Sequence, residues 1–306
     1  MRKLLVFTAA LGLAGAANAQ NSLDATQTGD GNVVAGVDGA AAALQSGSNS
    51  AVISQTAGLT RNGDPTGGHT AYISQIGGLG ADGQNQINLS QSFGTNALGA
   101  KGSHTAILRQ EGSGNVIGGY VDGEVTAADP AEQDSRSDRT ADVSQLGDRN
   151  RASFEDGAVD VDQIGSDNVA VSTGKATVQY QEGDGNEAYN FGTDATQTQV
   201  GDGNLAYSSG WVSGGVTVQT QTGSDNTSRV DRLRGGDKTT ATTVQTGDGN
   251  EVYAAFNGQP NLGNGSDLLS TQIGTGNFAE VEFLSQDNQA TILQDGSTNS
   301  VVVTQQ

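Results

Sequence analysis

The 306-residue chain has no cysteine, three prolines, one tryptophan, and only 14 lysines and arginines against 34 aspartates and glutamates. Without cysteine there are no disulfide staples and no thiolate metal sites. A formal net charge of -20 with so few basic residues excludes a nucleic-acid surface built on phosphate contacts. The basic residues that do cluster, Arg229, Arg232, Arg234 and Lys238, read as a solvated loop. Leu, Ile, Val and Phe make up just under a fifth of the chain, which with this charge is the composition of a disordered protein. Scarcity of proline and an excess of glycine, 46 residues, argue the other way. If the chain is ordered, something other than a large apolar core orders it.

Arg2 and Lys3 precede an apolar stretch from Leu4 to about Ala16, and Ala17-Asn18-Ala19 has the small-x-small form of a cleavage site. Residues 1–19 therefore read as a removed signal peptide, and the mature chain as secreted. The apolar stretch falls short of the roughly 20 residues a membrane span needs, and no later segment approaches that length.

A repeat decides the reading. Gln-x-Gly-x-x-Asn occurs ten times, where independent placement of these residues would give roughly 0.3 matches. The glutamines are Gln27, Gln110, Gln145, Gln163, Gln181, Gln199, Gln221, Gln245, Gln272 and Gln294. Their glycines are Gly29, Gly112, Gly147, Gly165, Gly183, Gly201, Gly223, Gly247, Gly274 and Gly296, and their asparagines Asn32, Asn115, Asn150, Asn168, Asn186, Asn204, Asn226, Asn250, Asn277 and Asn299. Two degenerate copies, Gln45-Gly47-Asn49 with a shortened turn and Gln75-Gly77-Asn85 with an insertion, bring the number to about twelve. Spacing varies from 18 residues upward while the motif stays fixed, so loops absorb the difference. The largest insertion, residues 118–138, is acidic, contains Pro130 and reads as a loop outside the repeat.

Within a copy the parity is that of a strand. The residue four before the Gln is small or apolar in most copies, as in Ala71, Ala106 and Ala141, and alternation resumes after the Asn, as in Ala51, Ile87 and Ala152. Each copy is thus strand, Gly-containing turn, strand, and the whole an all-β solenoid in which copies pair with those above and below. Gln and Asn at fixed inward positions then form amide ladders, which supply by hydrogen bonding what the thin core of Ala, Val and Ile lacks. Gln179, Gln197 and Gln219 stand where other copies have Ile73, Val143 or Ile292, and the sequence leaves open whether they point inward.

The last copy, from Asn288 through Ala290, Gln294, Gly296, Asn299 and Val301 to Gln305, resembles the curlin repeat of curli fibre subunits, a bacterial functional amyloid. The resemblance extends over nearly the whole mature chain. It implies a structural, non-enzymatic subunit of extracellular curli-like fibres at the cell surface, acting in adhesion and biofilm matrix. The implied partners are further copies of itself, a nucleator subunit and an outer-membrane secretion pore, with no nucleic acid and no membrane span. The family's second Gln, six residues after the Asn, survives only as Gln55, Gln91 and Gln305. A minor or nucleator paralogue is an open variant of this reading.

Two other classes are weighed on the residues. His69 and His104, both in His-Thr-Ala, occupy the repeat position of Asn21 and Asn288 and read as structural polar residues rather than a metal or catalytic pair. No nucleophile–base or clustered-carboxylate constellation is present, so neither catalysis nor a cofactor is expected. The alternative is a monomeric solenoid that binds polysaccharide or surfaces. Threonine runs at 217–222 and 239–243 would suit an ice-binding array, against which the irregular spacing of the copies counts.

Overall fold

The computed structural model describes residues 21–28, 33–36, 44–47, 49–56, 68–77, 83–92, 103–134, 139–155, 157–173, 176–192, 194–210, 215–233, 239–257, 265–285 and 287–306. These are all-β, and they fall into two compact units, Met1–Ser166 and Asp167–Gln306.

Each unit consists of two parallel sheets between which the chain alternates, one strand to each per coil. In the second unit the sheet of strands that precede the turn, here the leading sheet, holds Ala176–Glu182, Asp194–Val200, Val216–Thr222, Thr240–Thr246, Asp267–Thr275 and Gln289–Ser297 in that order. The trailing sheet holds Val169–Thr173, Glu187–Phe191, Leu205–Gly210, Thr227–Leu233, Glu251–Phe256, Phe278–Phe283 and Ser300–Gln305. Equivalent residues pair across each step regardless of spacing, so that Gln181 faces Gln199 and Gln245 faces Gln272.

Alternation of burial follows the sequence parity. Ala158–Ile164 reads exposed-buried throughout its length, with Val159, Val161 and Gln163 inside and Asp160 and Asp162 outside. The core is thin and changes character along the chain. Near the C-terminus it is apolar, built on Val252, Leu268, Val281, Phe256 and Phe283. At the start of the second unit it is polar: Thr177, Gln179, Asn190, Gln197, Ser208, Thr217 and Gln219 are all buried. Hydroxyls and amides there satisfy one another, as where Asn190 Nδ2 donates to Thr177 Oγ1 (2.7 Å) and Ser208 Oγ to Asn190 Oδ1 (3.0 Å).

The turn glycine has a double reason. Gly223 has φ +115°, and a Cβ there would collide with the backbone O of Gly247 in the next turn. Successive arcs therefore approach as closely as the strands they join.

The first unit departs from the expected layout in two places. Its trailing sheet contains Asn21–Thr28, Asn49–Thr56, Asn85–Ser92, then Val116–Ile117 together with Ala131–Asp134, then Arg151–Glu155. Its leading sheet contains Val33–Gly36 and Leu44–Gly47, both alongside Thr70–Gly77, followed by His104–Gly112, Arg139–Leu146 and Ala158–Ile164. Gln27 thus does not join Gln45 and Gln75 as the motif implies. Its strand lies in the other sheet, with Gln27 in register with Gln55. The reason is that Asn21-Ser22 and Gln27 match Asn49-Ser50 and Gln55 residue for residue, so this pairing keeps one parity through both strands.

The second departure concerns the insertion at 118–138. Gly119–Val121 and Glu124–Thr126 form an antiparallel hairpin, and Ala131–Asp134 then returns to the trailing sheet alongside Leu89–Ser92. Among the described residues of the insertion the excursion is only the hairpin and its flanks, inserted midway along one rung, and residues 135–138 lie outside the described residues. Ala131 and Gln133 are completely buried there, which compensates the return.

Candidate functional site

The repeated residues converge on amide ladders inside each unit. In the first, Gln75 Nε2 donates to Gln110 Oε1, Gln110 to Gln145 and Gln145 to Gln163, each at 2.8 Å. In the second, Gln181, Gln199, Gln221, Gln245, Gln272 and Gln294 form the same chain at 2.7–3.0 Å. Every link runs one way, from the Nε2 of one rung to the Oε1 of the next in sequence. The same Nε2 also reaches backbone carbonyls, as from Gln221 to Leu205 O and Asn226 O, both at 2.9 Å. The backbone of Gln45 is in register with Gln75.

Asparagines close the turns with links in both directions. The backbone N–H of Asn226 donates to Asn204 Oδ1 (3.1 Å), while Asn226 Nδ2 donates forward to Gly247 O (2.6 Å). Asn115 and Asn150 repeat this linkage in the first unit, and Asn85 makes both links with its Nδ2, to Asn49 Oδ1 (3.1 Å) and to Gly112 O (2.9 Å). Asn168, Asn186, Asn250, Asn277 and Asn299 carry it through the second. The turn glycine and Asn are therefore one device: the glycine permits the close approach, and its carbonyl is capped by the Asn of the preceding rung. Gly29 and Asn32 lie outside the described residues.

Two further ladders do not follow from the motif. Gln27, Gln55, Gln91 and Gln133 link in the trailing sheet at 2.7–2.8 Å. The motif does not find Gln133 within the insertion, although Ala131-x-Gln133 repeats the spacing of Ile53-x-Gln55 and Leu89-x-Gln91. Gln179, Gln197 and Gln219 point inward and link at 2.8 Å, so strand parity holds and the open question is answered.

His69 and His104 stack with ring centroids 4.9 Å apart and planes 2° from parallel, both buried. Each Nε2 donates to a backbone carbonyl at 3.1 Å, of Thr56 and of Ser92, and His69 Nδ1 accepts the His104 N–H. Both ring nitrogens of His69 are thus used in its neutral form. Burial, then the neighbouring His104, lower its pKa below the usual 6.5. A lowered pKa means that the stability the neutral ring contributes is present above the unfolded value and is lost as pH falls through the folded one. The unmodified chain should show a decline in urea midpoint between about pH 7 and pH 5, and replacing both histidines by Asn should remove it; a parallel decline in both proteins would place the effect elsewhere.

Among the described residues, no group of three or more His, Cys, Asp or Glu side chains is placed to hold a metal ion, and no helix is long and apolar enough to cross a membrane. At the last rung, Gln294 accepts from Gln272 and donates to Phe278 O, without the onward link that each interior Gln of this ladder makes. Among the described residues, the strands Gln289–Ser297 and Ser300–Gln305 each have a neighbour on one side only. Leu293 and Val302 are accordingly 70% and 64% exposed, whereas Thr271, in register with Leu293 one rung earlier, is half-buried.

No protein-family profile matches the chain, and no curated protein matches it.

Proposed function

We propose that the chain is the structural subunit of a secreted fibre that grows end to end, the last rung of one copy receiving the first rung of the next, in the manner of curlin-repeat proteins. The observation that carries this reading is the recurrence of one strand pattern in the first strand of the first unit's trailing sheet and the last strand of the second unit's. Asn21-Ser22-Leu23-Asp24-Ala25-Thr26-Gln27 and Asn299-Ser300-Val301-Val302-Val303-Thr304-Gln305 share Asn, Ser, Thr and Gln at the same spacings. Gln305 Nε2 donates to Gln289 O (3.1 Å) and, among the described residues, has no onward Gln to donate to, whereas its Oε1 faces the preceding rung, where Phe283 stands at its register. A strand Asn21–Thr28 from a second copy, laid on the open edge, would offer Gln27 to Gln305 as Gln55 is offered to Gln27 within one chain.

An open parallel edge is a row of unspent donors and acceptors. One-way ladders give growth a direction, since donating and accepting ends differ. Adhesion, biofilm matrix, a nucleator and an outer-membrane pore extend this reading through the curlin resemblance.

Electron microscopy of the mature protein after a day at neutral pH should show unbranched filaments. Their growth should accelerate with salt, because a chain of net charge -20 repels its own copies until screened. A monodisperse monomer under both conditions would overturn the reading and leave a binding module.

A further inference from the structure

The outward side of the leading sheet in the second unit holds an uncharged block four rungs deep. Its first outward column contains Asp194 and Asp267, and past that column no charge appears over these rungs. The remaining outward triplets of the strands at 194–200, 216–222, 240–246 and 267–275 are Thr-Thr-Val, Val-Thr-Thr, Thr-Val-Thr and Leu-Thr-Ile, in strict register. Thr198, Thr220, Val244 and Thr271 form the central column, and Leu269 and Ile273 are 44% and 43% exposed. The irregular spacing of the copies does not disturb this array, because the connections absorb it.

The other outward faces carry charge within or directly beside their middle rungs, as where Asp24 and Glu132 flank the uncharged strands Asn49–Thr56 and Asn85–Ser92 of the first unit's trailing sheet. In the first unit the leading sheet presents Arg109, which pairs with Asp142 at 2.8 Å, and then Asp160 and Asp162. The trailing sheet of the second unit presents Glu187, Asp231, Glu251, Glu280 and Glu282.

We infer that this uncharged face is where one filament packs sideways on another, meeting the same face of a second copy. Charge selects the occupant: copies of a chain at net charge -20 can come into close contact only where no carboxylate faces carboxylate. Flat faces of β-branched residues mesh at a sheet separation of about 10 Å. Area sets the condition. Four rungs about 4.8 Å apart and three outward residues about 6.7 Å apart span roughly 400 Å², about half of the roughly 800 Å² per partner that holds a stable pair. Single subunits therefore stay apart, whereas filaments, which repeat the face once per copy, associate through many such contacts at once. The inference rests on the fibre reading, so its test scores elongation and bundling separately.

Filaments of the full mature chain are followed by thioflavin fluorescence for elongation and by electron microscopy and low-speed sedimentation for bundling. The unmodified chain should bundle. Thr220→Glu and Thr220→Lys should each lower the bundled fraction by about tenfold or more, through like charges brought face to face, with elongation unchanged. Thr220→Gln should bundle normally, and mixing preformed filaments of the Thr220→Glu and Thr220→Lys variants should restore bundles. Unchanged bundling by the charged variants, or bundling of Thr220→Lys filaments alone, overturns the inference. A chain that forms no filaments removes the fibre reading and this one with it. Adsorption to cellulose or ice that Thr220→Glu abolishes, without loss of bundling, assigns the face to a solid surface and also overturns it.

Discussion

Gln221→Glu should destabilise the second unit at pH 7 by more than Gln221→Ala does, although it changes only one amide nitrogen for oxygen. Gln221 Nε2 donates to Gln245 Oε1, Leu205 O and Asn226 O, and Gln221 Oε1 accepts from Gln199. Alanine removes these links and leaves a small cavity. With about 1–3 kcal/mol for each buried group left unpaired, the loss should be about 3–5 kcal/mol. Glutamate keeps the volume but places a carboxylate oxygen against three acceptors, and its charge is buried without a cation. Folding must then raise the carboxyl pKa above its ordinary value, so the penalty is complete above the folded pKa and falls away as pH drops through it. Denaturant unfolding at pH 7 and pH 4 should therefore reverse the order: Glu is the less stable variant at pH 7, and recovers on acidification while Ala does not. Equal losses for Glu and Ala at pH 7 would mean that the amides are spectators and that backbone pairing alone holds the rungs. The same change at Gln294, with no onward rung among the described residues, should cost much less.

The ladders were legible because the motif spaces inward residues by the pleat, and a period of two leaves no choice of face once Gln and Ala are placed. Val159, Val161 and Gln163 lie inside for that reason. Which sheet a strand joins was less legible. Residues 21–27 satisfy the leading template, ending in Gln-x-Gly, and also the trailing one, beginning with Asn and ending in Gln six residues on. Only pairing decides between them, and Asn49-Ser50 with Gln55 offers the closer match. Gln133 was hidden by the acidic composition around it, since a hairpin inserted inside a strand separates residues that belong to one rung. For Gln179, Gln197 and Gln219 the difficulty was chemical: an inward Gln in place of Ile needs partners, and those lie on neighbouring rungs and on carbonyls such as Ala188 O, Ala206 O and Ser228 O. The uncharged outward face could not be weighed from spacing, because copy length and rung register are independent once the connections absorb the difference.

A cysteine pair placed across the proposed joint should cross-link copies only in the filament. The chain has no cysteine of its own, so any disulfide reports the introduced pair. Asp24 and Val302 are both outward and exposed. Aligning Gln27 with Gln305 puts these two residues side by side on adjacent parallel strands, about 4.8 Å apart at Cα and within the range a disulfide spans. Asp24→Cys with Val302→Cys should run as a ladder of covalent multimers on a non-reducing gel once filaments have grown and been oxidised, and as a monomer before growth. Pairing Asp24→Cys instead with Glu280→Cys breaks the contact, because Glu280 is in register with Val302 but one rung further in, and a whole strand then separates the two sites. That variant should give no ladder while forming the same filaments. Each single variant should give dimers at most, since one thiol per chain cannot propagate a covalent chain. Filaments that form without cross-links in the protein carrying Asp24→Cys and Val302→Cys would mean that copies join by another pair of edges, and that the shared Asn-Ser…Thr-Gln pattern at 21–27 and 299–305 does not set the joint. Multimers in both double variants alike would mean that the register between copies is not fixed by the shared pattern.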